Sequence, residues 1–226
     1  MRSQGDGAGT SGDSPVRLIG VAREFGSPRR RIVALRPLSL SVGRGEVAAL
    51  AGPNGSGKTT ALRILAGLVE PTAGVALVCG HDPSREPAAA RRAVGVSFGS
   101  GRSFYWRLTA RQNLLFFARL AGLDGRAALE RIRGLAYDLD LERVLDRPAS
   151  RLSRGMLARL SVARALVHGP PVVLLDEPLA SVDGPGRRAV VCSARGAAAA
   201  GAAVLLTVQD PEDAVWCDRV HALTVP

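Results

Sequence analysis

The chain has 226 residues, 46% of them hydrophobic, enough to bury one sizeable core with a smaller appended lobe. Its formal net charge is +10, yet the arginines are scattered and aromatic residues make up only 4%, which argues against a nucleic-acid-binding stripe or a row of stacking platforms. Three widely spaced cysteines, Cys79, Cys192 and Cys217, have no metal-ligand spacing and are odd in number, which fits a reducing compartment better than a disulfide framework.

The start, MRSQGDGAGTSGDSP, is rich in glycine and serine and has no apolar run, so residues 1–15 read as a disordered tail rather than a signal peptide or anchor. VRLIGVA (Val16 to Ala22) and PLSLSV (Pro37 to Val42) are short, partly alternating strands of a small antiparallel layer, with PRRR (Pro28 to Arg31) a solvated loop between them. EVAALAG then runs into a glycine-rich loop and a helix with apolar positions at Leu62, Leu65 and Ala66, stopped at Gly67. VALVC (Val75 to Cys79), VGVSF (Val94 to Phe98), VVLLD (Val172 to Asp176) and AVLLTV (Ala203 to Val208) are continuous apolar runs, expected of strands buried on both faces of a mostly parallel sheet. The core is therefore α/β.

From Gly99 to about Ser153 the strand signal disappears. Thr109 and Gln112 form a capping box that opens a helix with Leu114, Leu115, Phe117, Ala118 and Ala121 at helical spacing and Gly122 to close it. A second helix carries Leu129, Ile132, Leu135 and Ala136 on one face. This helical block, inserted between two pieces of the sheet, reads as a lobe of its own. The nearest approach to a membrane span, GAAAAGAAVLLTV (Gly196 to Val208), falls short of the roughly 18 apolar residues a bilayer requires.

Lys58 is the single lysine among 30 basic residues. It lies in GPNGSGKT (Gly52 to Thr59), which fits G-x-x-x-x-G-K-[ST] between a strand and a helix. Such glycines let backbone N–H groups turn inward around phosphate oxygens. Lys58 can then reach the β- and γ-phosphates as a compact cation where arginine's wide fork would not fit, and Thr59 offers a hydroxyl to Mg²⁺. In VVLLDEP (Val172 to Pro178), Asp176 ends a buried strand where it could hold Mg²⁺ through water, and Glu177 could orient or deprotonate an attacking water. In RLSRGMLARLSVARAL (Arg151 to Leu166), Ser153 can cap a helix carrying Leu157, Leu160 and Ala163 and present its N-terminus to an anion.

In this order the pieces resemble the ATP-binding subunit of ABC transporters, over nearly everything from Val16 to Val225, with LSRGM as the signature sequence and ASVD (Ala180 to Asp183) as the D-loop. The resemblance implies a P-loop NTPase fold: a RecA-like core with a mostly parallel sheet, a small antiparallel β layer and an inserted helical subdomain at about 99–160, all within one domain, 16–226. It implies ATP and Mg²⁺ as cofactors and a homodimer, or a pair of ABC subunits, that sandwiches two nucleotides. Nucleotide contacts are implied for Phe25 (stacking on adenine), Gly52, Pro53, Asn54, Gly55, Ser56, Gly57, Lys58, Thr59, Thr60, Ser153, Gly155 and Gln209. Glu177 and Lys58 are the implied catalytic residues, and Thr59 and Asp176 the implied metal ligands.

The segment RSFYWRLTARQNLLFFARLAGL looks like exporter-type subunits serving drug, lipid or polysaccharide efflux. That implies membrane-spanning partners on separate chains, met by the helical lobe, a cytoplasmic protein peripheral on the inner face of the membrane, and no nucleic-acid partner. The absence of an additional C-terminal regulatory domain before Pro226 leans the same way.

Three positions depart from the family's pattern. Gly99 stands where the family usually places a glutamine that senses Mg²⁺ and the γ-phosphate. Gln209 stands where it places a histidine on the γ-phosphate; the amide can donate a hydrogen bond but carries no proton or charge. Arg154 stands where the signature usually has glycine. The first two leave open a weakly hydrolysing, regulatory binding module. A soluble, non-transport ABC ATPase acting on DNA or the ribosome is disfavoured by the single nucleotide domain and the lack of a coiled-coil insertion. A GTPase is excluded by the lack of a lysine for the guanine-reading NKxD motif.

Overall fold

The structure, a computed structural model, describes residues 14–27, 30–98 and 104–225. Two sheets form its frame. Strands β1 (Val16–Ser27), β2 (Arg30–Val42) and β4 (Ala73–Val78) make an antiparallel sheet in the order β2-β1-β4. Strands β3 (Val47–Ala51), β5 (Val94–Phe98), β6 (Val172–Asp176), β7 (Ala203–Val208) and β8 (Arg219–Ala222) make a second sheet in the order β5-β6-β7-β3-β8, parallel at every pairing.

Alternation along the parallel strands divides the core into two layers. Val47, Ala49, Ala51, Val173, Leu175, Val204 and Leu206 face helices α3 (Ala110–Leu120), α4 (Gly125–Asp138), α5 (Arg154–Leu166) and α6 (Gly184–Ala199). Ala48, Leu50, Val172, Leu174, Ala203 and Leu205 face helix α1 (Lys58–Leu65) and the antiparallel sheet. At the α5 contact the approach is close enough to demand glycine: a Cβ on Gly95 would sit 1.8 Å from the Ala165 carbonyl oxygen.

The expected helix signals are in place. Gly67, at φ +65°, follows α1, and the Thr109–Gln112 capping box has both of its hydrogen bonds. Ser153 caps α5, its hydroxyl accepting from the Met156 amide at 3.2 Å. Cys79, Cys192 and Cys217 are free, and burial pushes the Cys217 thiol up to about 11, which keeps it protonated.

Other expectations are corrected. VALVC does not enter the parallel sheet. As β4 it pairs with β1, and Val75 is 44% exposed because one face of an antiparallel layer can meet water. Arg30 and Arg31 lie in β2 rather than in a loop, while Pro28 and Arg29 lie outside the described residues. On α4 the buried face uses Ala128 with Ile132, Leu135 and Ala136, and Leu129 is turned outward. Helix α2 (Pro87–Ala93), helix α6 and strand β8 have no counterpart in the sequence reading. The tail expectation falls outside the described residues for 1–13; Pro15 is buried, its carbonyl accepting from the Cys79 amide. Gly99 is also outside them.

One cation ties α4 to α5. Arg159 is 7% exposed, and its Nη1 donates to the Leu139 and Asp140 carbonyls at 2.8 and 2.7 Å and to the Asp140 carboxylate at 2.8 Å. Arg159→Met keeps the apolar stem but strips those carbonyls of their donor. It is expected to cost about 2–3 kcal/mol, read as a fall of several degrees in Tm. An unchanged melting curve would show that water replaces the guanidinium.

Candidate functional site

The site lies at the carboxyl ends of β3, β6 and β7, where a parallel sheet leaves its loops and the first turns of its helices open. The five residues of β3 are all fully buried, and the chain leaves it into the loop Gly52 to Gly57. Gly57 is the N-cap of α1 at φ +96°, with its Cβ position only 2.7 Å from the Ala34 carbonyl oxygen and 2.8 Å from Leu35 Cδ1. Only glycine combines that backbone with that clearance. The loop is thus pressed against β2, and the free N–H groups of α1 open at its centre.

Lys58 is 5% exposed, and its Nζ donates to the Gly52 carbonyl at 2.6 Å and the Pro53 carbonyl at 3.0 Å. A buried ammonium held by its own loop's carbonyls is poised to exchange them for stronger, anionic acceptors. Ser56, 2% exposed, has its hydroxyl without a partner among the described residues, a second group that a phosphate oxygen would satisfy. Pro53, Asn54 and Gly55 are exposed around this hollow, and Thr60 lies on the first turn of α1, half-buried.

At the second residue of α1, Thr59 donates to Asp176 Oδ1 at 3.1 Å, joining the phosphate loop to the end of β6. Thr207, from β7, donates to the same oxygen at 2.7 Å. Asp176 Oδ2 has no hydrogen-bond donor among the described residues. A threonine hydroxyl beside an available carboxylate oxygen is a hard, all-oxygen donor set of the kind Mg²⁺ takes, and these residues fit that ion. Glu177 follows at φ +47°, a left-handed backbone unusual outside glycine, and Gln209 Nε2 reaches its two carboxylate oxygens at 3.2 and 3.0 Å. Lys58, Thr59, Asp176, Glu177 and Gln209 are thereby brought together.

Phe25 stands on β1, 43% exposed and cross-strand from Ile32, with the Arg23 guanidinium 4.4 Å from its ring centroid. One face of the ring carries the cation, and part of the ring surface is open to solvent. Ser153 is exposed at the start of α5, and Gly155 packs against the D-loop segment, its Cβ position 3.0 Å from the Ser181 carbonyl. Among the described residues neither Ser153 nor Gly155 hydrogen-bonds to the phosphate loop of its own chain. Asp183, the last residue of ASVD, caps α6, its carboxylate accepting from the Gly186 amide at 3.0 Å.

The profile of the ABC transporter family matches residues 35–180. The chain belongs to that family. The ABC transporter ATP-binding protein NatA of Bacillus subtilis (strain 168) is 38% identical over 168 residues, 74% of this chain and 68% of NatA. The doxorubicin resistance ATP-binding protein DrrA of Mycobacterium tuberculosis is 39% identical over 209 residues, 92% of this chain but 62% of its own. The chain therefore spans about two thirds or less of these curated relatives. Among solved structures, a dimeric bacterial ABC transporter cassette superposes with a TM-score of 0.84 at 25% identity, covering 92% of this chain and 94% of its own. The same cassette in a post-hydrolysis state bound to ADP and Pi superposes at 0.82 with 26% identity. The fold is that of the P-loop NTPases, and the chain is an ABC-type ATPase cassette that binds nucleotide.

Sequence reasoning missed Thr207. It had a signal, as the one polar residue inside the fully buried β7, but nothing local to show what it would meet. Gly99 and its neighbours to Ser103 lie outside the described residues.

Proposed function

We propose that this cassette binds MgATP through Gly52 to Thr60 and hydrolyses it with Glu177, as one of two copies or paired subunits that energise export through separate membrane-spanning chains. The observation that carries this reading is the convergence of Lys58, Thr59, Asp176, Glu177 and Gln209 from three separate chain segments at the carboxyl ends of β3, β6 and β7. Phe25 receives the adenine. Lys58 holds the β- and γ-phosphates, and Mg²⁺, when held by Thr59 and Asp176, neutralises charge on them. Glu177 takes a proton from the attacking water as its oxygen bonds to phosphorus and the bond to the β-phosphate oxygen breaks. Ser153 is exposed and Gly155 half-buried, neither bonded to its own phosphate loop among the described residues, and in the proposed pair they meet the nucleotide of the other copy.

We place the domain at 16–226, with a helical subdomain between β5 and β6 as its membrane-facing lobe. Supporting this, Tyr105, Trp106, Phe116 and Leu120 are exposed together around α3. Beside them a cleft of about 880 Å³ runs between α3 and the α2–β5 segment, bordered by Arg91, Arg92, Arg164 and His168. No helix among the described residues is long and apolar enough to cross a membrane. The protein would then sit on the inner face of the membrane through its partners. Purified chain should bind ATP in a Mg²⁺-dependent way and release phosphate; no binding at millimolar ATP would overturn the reading.

A second reading, that hydrolysis is slow and the cassette acts chiefly by binding, is favoured by the Gln209 contact. Its amide holds Glu177 yet cannot carry a charge toward the γ-phosphate. Gln209→His is then expected to raise phosphate release about tenfold or more at saturating ATP. An unchanged rate would reject slow turnover as a consequence of this residue.

A further inference from the structure

We infer that Thr207 is a positioning residue that sets both acidic groups of the site with one hydroxyl. The inference rests on the reading of Asp176 and Glu177 given above. Residue pairing between β6 and β7 ends at Leu175 and Leu206. One step further, the Thr207 side chain takes over: its Oγ1 accepts from the Glu177 amide at 2.8 Å and donates to Asp176 Oδ1 at 2.7 Å. Both its roles are filled, by the last residue of β6 and the residue that follows it, and Thr207 is fully buried.

Each bond has its own consequence. The bond to the Glu177 amide fixes the peptide at which the chain turns to φ +47°, and so the direction in which the Glu177 side chain leaves the strand. The bond to Oδ1 acts with that from Thr59 to orient the Asp176 carboxylate and present Oδ2 to the metal. A β-branched side chain in a strand keeps χ1 in a narrow range, so the hydroxyl stays between the two groups through the catalytic cycle. Thr207 is itself held from the other side, its backbone lying opposite Leu50 of β3, the strand that feeds the phosphate loop. Thr207 thus couples the metal-binding and water-activating carboxylates to the strand that leads into the phosphate loop and Lys58.

The test compares Thr207→Val, of nearly equal volume but with no hydroxyl, with Thr207→Ser, which keeps it, in the full-length chain. Thr207→Val is expected to lower kcat roughly 10- to 100-fold, the loss of bonds to charged and strained groups, while KM for ATP stays within about threefold. Within that threefold range it should also reduce the gain in ATP affinity that Mg²⁺ gives over EDTA, and it should speed hydrogen exchange at the Glu177 amide. Thr207→Ser should restore all three. Thr207→Ala removes the hydroxyl without placing a methyl beside Asp176, and gives the same readings if valine is not accommodated.

Wild-type kcat and wild-type Glu177 exchange in the valine and alanine variants would overturn the inference, as would equal losses in Thr207→Ser. Failure of the underlying reading is separable. If Glu177→Gln hydrolyses at the wild-type rate, Glu177 is not the base, yet its amide exchange and the Mg²⁺ dependence of binding still decide whether Thr207 holds the two residues.

Discussion

Lys58→Ala is expected to weaken ATP binding by about 100-fold or more, measured by titration with a fluorescent nucleotide in Mg²⁺. The ammonium is nearly sealed from solvent, and its two acceptors are carbonyls of its own loop. Phosphate oxygens can replace those carbonyls with gain, because charge-assisted bonds are roughly twice as strong as neutral ones. Without the ammonium, the triphosphate must enter a low-dielectric pocket with only backbone dipoles and metal to balance it. The substitution also leaves the Gly52 and Pro53 carbonyls short of a donor, so the loop itself should loosen. Lys58→Arg tests shape apart from charge: the planar fork carries the same charge but must displace the loop to fit, and should recover little of the loss. Affinity within threefold of wild type in Lys58→Ala would show that the triphosphate does not lie in this loop.

The phosphate loop and its lysine were legible because their chemistry is local. The glycines, the cation and the helix start are consecutive, and the motif fixes their relative positions before any tertiary contact forms. The capping box at Thr109 and the serine cap at Ser153 were legible for the same reason. Asp176 and Glu177 could be read from a buried strand ending in acids, and the structure adds that Thr59 and Gln209 reach them across more than 30 residues of chain or more than 100.

What sequence could not supply was partnership. VALVC is as apolar as VVLLD, yet one lies in the antiparallel layer and the other at the heart of the parallel sheet; a run of branched residues states that a strand is buried, not which strands lie beside it. Helix α6 went unread because GPGRRAVVCSARGAAA has little large apolar periodicity. Apart from Val190 it packs through small residues, Gly186, Ser193, Ala194 and Ala198, which the pattern of core-facing helices does not reveal. Asp183 and Pro185 at its start were the available signal. For Thr207 the signal was a lone hydroxyl in an apolar strand, but its two partners are fixed only when β6 and β7 pair.

The second large effect is on hydrolysis itself. Glu177→Gln should lower phosphate release by about 100- to 1,000-fold, the usual weight of a general base, while ATP binding stays near wild type. The replacement is nearly isosteric, so the strained backbone at this position and the amide bond to Thr207 can persist. The contact with Gln209 can persist too, since the new side-chain carbonyl still accepts from Nε2. What is lost is the ability to take a proton from water. If two copies close around two nucleotides, blocking hydrolysis removes the step that opens them, and the variant should collect as an ATP-bound dimer on size-exclusion chromatography in Mg²⁺. The two readouts separate the roles: a wild-type rate would remove Glu177 as the base, whereas a slow variant that stays monomeric at saturating ATP would keep the base and reject closure of two copies around the nucleotide.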